Sequence, residues 1–207
     1  MADFERDRAL MIRLWRMWGS RAADLSDQQW TTDTRLPGWT VRDLYVHITP
    51  SVMIDMLATP TADGAAKVTS AAEILRVFNA DPTVAESRHG QMAEMVRQLA
   101  ADADRATVAT RFTSEFPAAF ERLTGLNRAT VIPHPFLDSV ALGAFIDVAI
   151  LETTIHWLDV ADAVGGPPPD SMALERTRDI LAAVPDPLTF VEAASGRSDP
   201  AILPVMR

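Results

Sequence analysis

The sequence predicts an all-α fold, a four-helix bundle followed by a short C-terminal helical extension. Three observations predict it. Apolar residues recur at three- and four-residue spacings over several long segments, no segment shows a clear period-two strand pattern, and Pro/Gly clusters punctuate the helical stretches. Four long amphipathic helices are best buried as a bundle.

Residues 3–25 carry Phe4, Leu10, Met11, Leu14, Trp15, Trp18, Ala22 and Leu25 on one face, with Arg6, Arg8, Arg13 and Arg16 mostly between them. Asp3 is a candidate cap. Thr34-Arg35-Leu36-Pro37-Gly38-Trp39 then forms a turn. Thr40-Val41-Arg42-Asp43 resembles a capping box with Asp in place of Glu or Gln, and it opens a second helix to about residue 58. Pro50 lies inside that stretch and predicts a kink, since Met53, Met56 and Leu57 continue the apolar pattern. A loop spans 60–69. Ser70-Ala71-Ala72-Glu73 is a capping box for a short helix ending before Pro82. Residues 83–102 predict a third long helix with Val84, Met92, Met95, Val96 and Leu99 facing inward. The stretch 105–137 has the weakest pattern, with a short helix expected near 115–124 and an extended segment around Ile132-Pro133-His134-Pro135. The fourth long helix is expected over 139–164, stopped by Gly165-Gly166-Pro167-Pro168-Pro169. Helices at 171–183 and 187–194 follow. The bundle is therefore placed at 1–165 and the extension at 166–207.

Composition narrows the function. The chain has 207 residues, 48% hydrophobic and 23% charged, the balance of a globular protein, and a net charge of −9. That acidity argues against a nucleic-acid binder and against attraction to an anionic membrane surface. The longest apolar run, 140–151, is interrupted by Asp147 and falls short of the roughly 20 residues of a membrane helix. The first ten residues lack the apolar core and cleavage pattern of a signal peptide. There is no cysteine, which excludes disulfides, thiolate metal sites and a cysteine nucleophile and fits a cytoplasmic location. Nucleotide-binding glycine motifs are absent.

The four histidines can be weighed singly. Glu152 and His156 stand at i, i+4 on the fourth helix, hence on one face one turn apart. His47 lies on the second helix, and facing helices of a bundle can bring it to that pair. Two imidazoles and a carboxylate leave coordination positions open, as in catalytic sites that hold Zn²⁺, Fe²⁺, Ni²⁺ or Mn²⁺. The same spacing also occurs as a weak surface contact, and His47 between Val46 and Ile48 also fits a core histidine. Asp159, three residues after His156, can orient that ligand or cap a charge at the helix end. His134 lies on an expected loop, and His89 among Glu86, Arg88 and Gln91 reads as solvated. Tyr45 lies near His47 but on a different helix face. The five tryptophans and Met11, Met17, Met53, Met56, Met92 and Met95 read as core.

Two stretches carry a family resemblance. Leu36-Pro37-Gly38-Trp39-Thr40-Val41-Arg42-Asp43-Leu44-Tyr45-Val46-His47-Ile48 resembles the N-terminal signature of the mycothiol-dependent maleylpyruvate isomerase family, of the DinB/YfiT-like superfamily of metal-binding four-helix bundles. Leu151-Glu152-Thr153-Thr154-Ile155-His156-Trp157-Leu158-Asp159-Val160-Ala161 resembles its second signature. The resemblance covers roughly residues 5–164. It implies that His47, Glu152 and His156 bind a divalent metal, Zn²⁺ foremost, and that a thiol such as mycothiol is the cosubstrate of an isomerisation or S-transfer. Relatives often carry an arginine three residues before the glutamate, where this chain has Ala149. That leaves maleylpyruvate itself open as a substrate. The isomerase also has a further C-terminal domain, whereas residues from Phe190 on resemble the short tail of other relatives. A metal-dependent hydrolase and a non-catalytic metal-binding or regulatory bundle are the alternatives. The expected partners are a small-molecule substrate and the thiol. A bundle face offers a route to a homodimer, although no stripe singles one out.

Overall fold

A computed structural model of the chain describes residues 2–49, 64–121, 125–134 and 136–199. Helix α1 (Ala2–Asp24) buries Phe4, Leu10, Met11, Leu14, Trp15, Trp18 and Ala22 on one face, as its periodicity predicts. A capping box between Ser26 and Gln29 starts the short α2 (Asp27–Trp30). The expected box between Thr40 and Asp43 starts α3 (Val41–His47), with the Thr40 N–H donating to Asp43 Oδ2 at 2.8 Å. Helix α3 ends at His47, capped by Ile48, two residues short of Pro50. The residue before a proline is pushed out of the helical region, so α3 itself does not run on to Thr49. The remainder of the predicted helix, with Met53, Met56 and Leu57, lies outside the described residues.

Ser70 and Glu73 form their capping box at the head of α4 (Ala71–Asn79). Asp81 caps α5 (Pro82–Ala101), with Pro82 in the first turn. Of the five apolar residues expected to face inward here, only Val96 does. Val84, Met92, Met95 and Leu99 are 42%, 40%, 48% and 61% exposed. The chain breaks at 102–104 and continues as α6 (Arg105–Thr110), a π-helical turn (Arg111–Glu115) and α7 (Phe116–Glu121), one rod along α1. Pro117 lacks an N–H and crowds the turn before it, which the wide π turn accommodates. The rod packs so close that a Cβ on Gly19 would stand 2.6 Å from Thr113 Cγ2. The short helix expected near 115–124 is thus the end of a longer one.

Strands β1 (Val131–His134) and β2 (Asp138–Ala141) form a two-stranded antiparallel hairpin with Val131 opposite Ala141 and His134 opposite Asp138. Val68 adds a parallel bridge to Val140. This hairpin was not expected, and it corrects the start of the fourth long helix from 139 to 142. Helix α8 (Leu142–Val164) stops at Gly165, whose φ of 71° favours glycine. Arg21 of α1 donates to its terminal carbonyls, Val164 O at 2.9 Å and Gly165 O at 2.7 Å. Helices α9 (Ser171–Ala183) and α10 (Pro187–Ala194) fall where predicted, each capped by an aspartate.

The fold is all-α apart from the hairpin. Its core lies between α1, α3, the 105–121 rod and α8. Each contributes one ring to a central cluster: Trp18 lies 4.7 Å from Tyr45, 5.4 Å from Trp157 and 6.3 Å from Phe112 between centroids. The Trp18 indole N–H also donates to Thr153 O at 3.2 Å, which fixes α1 against α8. Among the described residues no helix is long and apolar enough to cross a membrane.

Candidate metal centre

The aromatic cluster sets the register of the site beside it. Tyr45 is two residues before His47, and Trp157 follows His156. Val41, Leu44 and Tyr45 are fully buried, so α3 is pinned by that face and presents His47 at its last residue. On α8, Ile150, Leu151, Thr154 and Trp157 point into the protein, while Phe145, Val148, Ala149, Glu152, Ile155 and His156 form a half-buried stripe. His47 and the Glu152/His156 pair therefore meet at the edge of the core.

The three predicted residues come together. Glu152 Oε2 lies 3.3 Å from His156 Nε2 and 3.8 Å from His47 Nε2, and the two imidazoles are 5.0 Å apart between centroids and nearly perpendicular. One donor atom from each lies within 4.8 Å of the others. Donors held on one ion at about 2.1 Å are at most about 4 Å apart, so the set needs only a small contraction to close on a divalent ion.

The tautomer of His156 suits this. Its Nδ1–H donates to Asp159 Oδ2 at 2.8 Å, which leaves Nε2 facing Glu152. A bare Nε2 lone pair against a carboxylate oxygen is repulsive, so a proton or a cation belongs between them. Without a metal it is a proton. Burial works against the charged ring, but Asp159 and Glu152 outweigh burial and push the His156 pKa up to about 9. Burial likewise opposes ionisation of Glu152, and hydrogen bonds and charge from His156 and His47 overcome it and hold the carboxyl well below its usual range. The Nδ1 of His47 is buried and has no hydrogen-bond partner among the described residues. The Trp39 ring packs edge-on against His47 at 5.2 Å instead.

Asp159 is 2% exposed, and its contact is with His156 rather than with the end of the helix. Its second oxygen accepts from Arg35 Nε at 2.7 Å. Sequence reasoning missed Arg35; the only hint was its place in the turn, immediately before the first signature begins at Leu36. The other candidates lie elsewhere. Tyr45 is buried, donates to Trp18 O at 3.2 Å, and has its pKa raised by burial, so it is a core residue and not an acid at the site. His134 sits on β1, not in a loop, against Phe78, Phe136 and Phe145, with its pKa lowered by burial. His89 is exposed on α5. Ala149, one turn before Glu152, packs with Val148 against the core and places no cation beside the triad.

The model of one protein family, described as the mycothiol maleylpyruvate isomerase N-terminal domain, matches residues 12–161. The match runs from the middle of α1 through most of α8 and takes in all three triad residues and Asp159. Neither a curated protein nor a solved structure matches the chain.

Proposed function

Since the chain belongs to the mycothiol maleylpyruvate isomerase N-terminal domain family, we propose that it is a divalent-metal-dependent enzyme that uses a low-molecular-weight thiol, mycothiol or a similar one, for isomerisation or S-transfer. The observation that carries this is the convergence of His47, Glu152 and His156 in a chain without a cysteine. These three would hold the ion, Zn²⁺ foremost, with Ni²⁺, Mn²⁺ or Fe²⁺ compatible with the same donors. A divalent ion with open coordination positions lowers the pKa of a thiol or water presented to it.

The chain's own residues have defined tasks in this reading. Glu152 supplies the negative charge, and a metal competes with the proton it shares with His156. Asp159 holds the Nδ1 proton of His156, so that Nε2 is the free donor. Phe145, Val148, Ala149 and Ile155 continue the half-buried stripe on either side of Glu152 and pack against the core, which holds Glu152 and His156 at its edge. The borrowed thiol supplies the sulfur nucleophile that a chain without cysteine lacks. The acidic, cysteine-free composition fits work in the cytoplasm on small molecules rather than on nucleic acid.

The test is metal content by mass spectrometry on untagged protein prepared without chelator, alongside His47→Ala, followed by turnover with and without added thiol. The expected result is about one equivalent of metal, lost in the variant, and turnover that requires the thiol. Thiol-independent turnover would establish a hydrolase instead. No metal, even after incubation with Zn²⁺, Ni²⁺ or Mn²⁺, would leave a binding or regulatory bundle.

A further inference from the structure

The turn before α3 reaches both histidines. It is closed by Thr34 N–H to Trp39 O at 2.8 Å, by Trp39 N–H to Leu36 O at 3.1 Å, and by Val41 N–H to Thr32 O at 2.9 Å, with a bridge between Asp33 and Thr40. Gly38 supplies the positive φ of 78° that the reversal needs. From this one small, hydrogen-bonded element Trp39 packs on His47, and Arg35 bonds to Asp159, which bonds to His156. The two ligand histidines sit on different helices, and this turn touches the surroundings of both.

The charges along the arm are ordered. Asp159 is almost fully buried, and a buried carboxylate without partners is costly. Its two oxygens are divided, Oδ2 to His156 and Oδ1 to Arg35. A guanidinium carries its charge at every working pH and donates only. Arg35 therefore occupies Asp159 Oδ1 and holds the carboxylate in one rotamer, with Oδ2 turned to His156. An ionised, fixed Asp159 is an acceptor only, so His156 Nδ1 must be the donor and Nε2 must face Glu152. The Arg35 side chain is 51% exposed, so the arm runs from the protein surface to the site.

We propose that Arg35 is a positioning residue of the centre: it acts through Asp159 to fix the orientation and tautomer of His156 before a metal arrives. The role rests on the metal reading above, but the geometry it asserts exists without metal.

Two measurements test it separately. In the metal-free protein, proton NMR reads the hydrogen-bonded Nδ1–H of His156. It should be slow to exchange in the native protein, absent in Asp159→Asn, faster to exchange in Arg35→Met and partly restored in Arg35→Lys. In a second arm, Zn²⁺ affinity is read by competition with a chromophoric chelator. Partners behind a metal ligand are worth about 10- to 100-fold in affinity; Asp159→Asn should fall in that range and Arg35→Met near its lower end, about tenfold. The double variant should bind no more weakly than Asp159→Asn alone, because both changes break one arm. Additive losses, or an Arg35→Met protein with native exchange and native affinity, would overturn the proposal and reduce Arg35 to a surface ion pair. If the native protein takes up no Zn²⁺, the metal reading fails, and the exchange measurement still decides whether Arg35 positions His156.

Discussion

Glu152 Oε2 stands 3.3 Å from His156 Nε2, one helical turn along α8, and two bare lone pairs cannot hold that contact. In the metal-free protein a proton bridges them. A metal that binds there takes the proton's place, so metal uptake and protonation are linked.

The sign of that linkage is fixed. His156 holds its proton up to a pH of about 9, well above an ordinary histidine. At pH 7.5 metal binding should release about one proton, and affinity should fall as the pH is lowered further. Calorimetry in two buffers of different ionisation heat reads the released proton as a difference in apparent enthalpy. Identical enthalpies in both buffers would show that the bridge is not protonated.

The same two groups shape the stability of the metal-free protein. The folded-state pKa of His156 is raised, so its contribution is complete below the ordinary value of 6.5 and is lost as the pH climbs to about 9. That of Glu152 is lowered, so its contribution is complete above 4.5 and is lost as the pH falls below that. Both are complete together between about 4.5 and 6.5. The midpoint of thermal unfolding without metal should therefore drop between pH 6.5 and 9, and the drop should be smaller in His156→Gln. A native-sized drop in that variant would assign the slope to other groups.

The parts of the fold that were legible in the sequence are those with local chemistry. The capping boxes at Thr40 and Ser70, the Gly165 stop and the starts of α9 and α10 depend on a few neighbouring residues, and they stand where the sequence places them. The triad was legible because Glu152 and His156 share a helix face and two signatures flank the site. The hairpin was not legible: its strands are four residues each, and one contains Pro133, so no alternation could build up. Arg35 was hidden for another reason, since its partner is 124 residues away and no local pattern encodes that pairing.

Helix α5 shows the limit of periodicity as a guide to burial. Its apolar residues have helical spacing, yet only one side of the helix meets α3, and Leu99 remains 61% exposed while Val96 is 2% exposed. Truncation separates the two positions. Val96→Ala should cost roughly 2 kcal/mol, and Leu99→Ala should stay within about 0.5 kcal/mol. Urea unfolding measures both, and equal costs would mean that Leu99 is covered in solution.

A second set of charges ties the C-terminal helices to the bundle. Asp147, the residue that interrupts the apolar run of α8, lies 2.5 Å from Arg128 and 2.7 Å from Arg176, and Asp7 of α1 bonds to both arginines as well. Two carboxylates and two guanidinia form a closed, neutral ring joining α1, α8, α9 and the segment before β1. A half-buried Asp147 without partners would be costly, and the two arginines offset that cost. Gly143 makes room, since a Cβ there would stand 2.9 Å from Arg128. Asp7 is 1% exposed, and replacing it with Asn leaves both arginines short of a carboxylate. The arginine side chains are 31% and 35% exposed, so the cost should be about 2 kcal/mol rather than the 3–5 of a fully buried pair. Because α9 buries Ala173, Thr177 and Ile180, it should unfold together with the bundle in the native protein. In Asp7→Asn, hydrogen exchange across Ser171–Ala183 should rise before the rest of the fold opens. Unchanged protection of α9 with a lower global stability would mean that the ring holds α1 and not the extension.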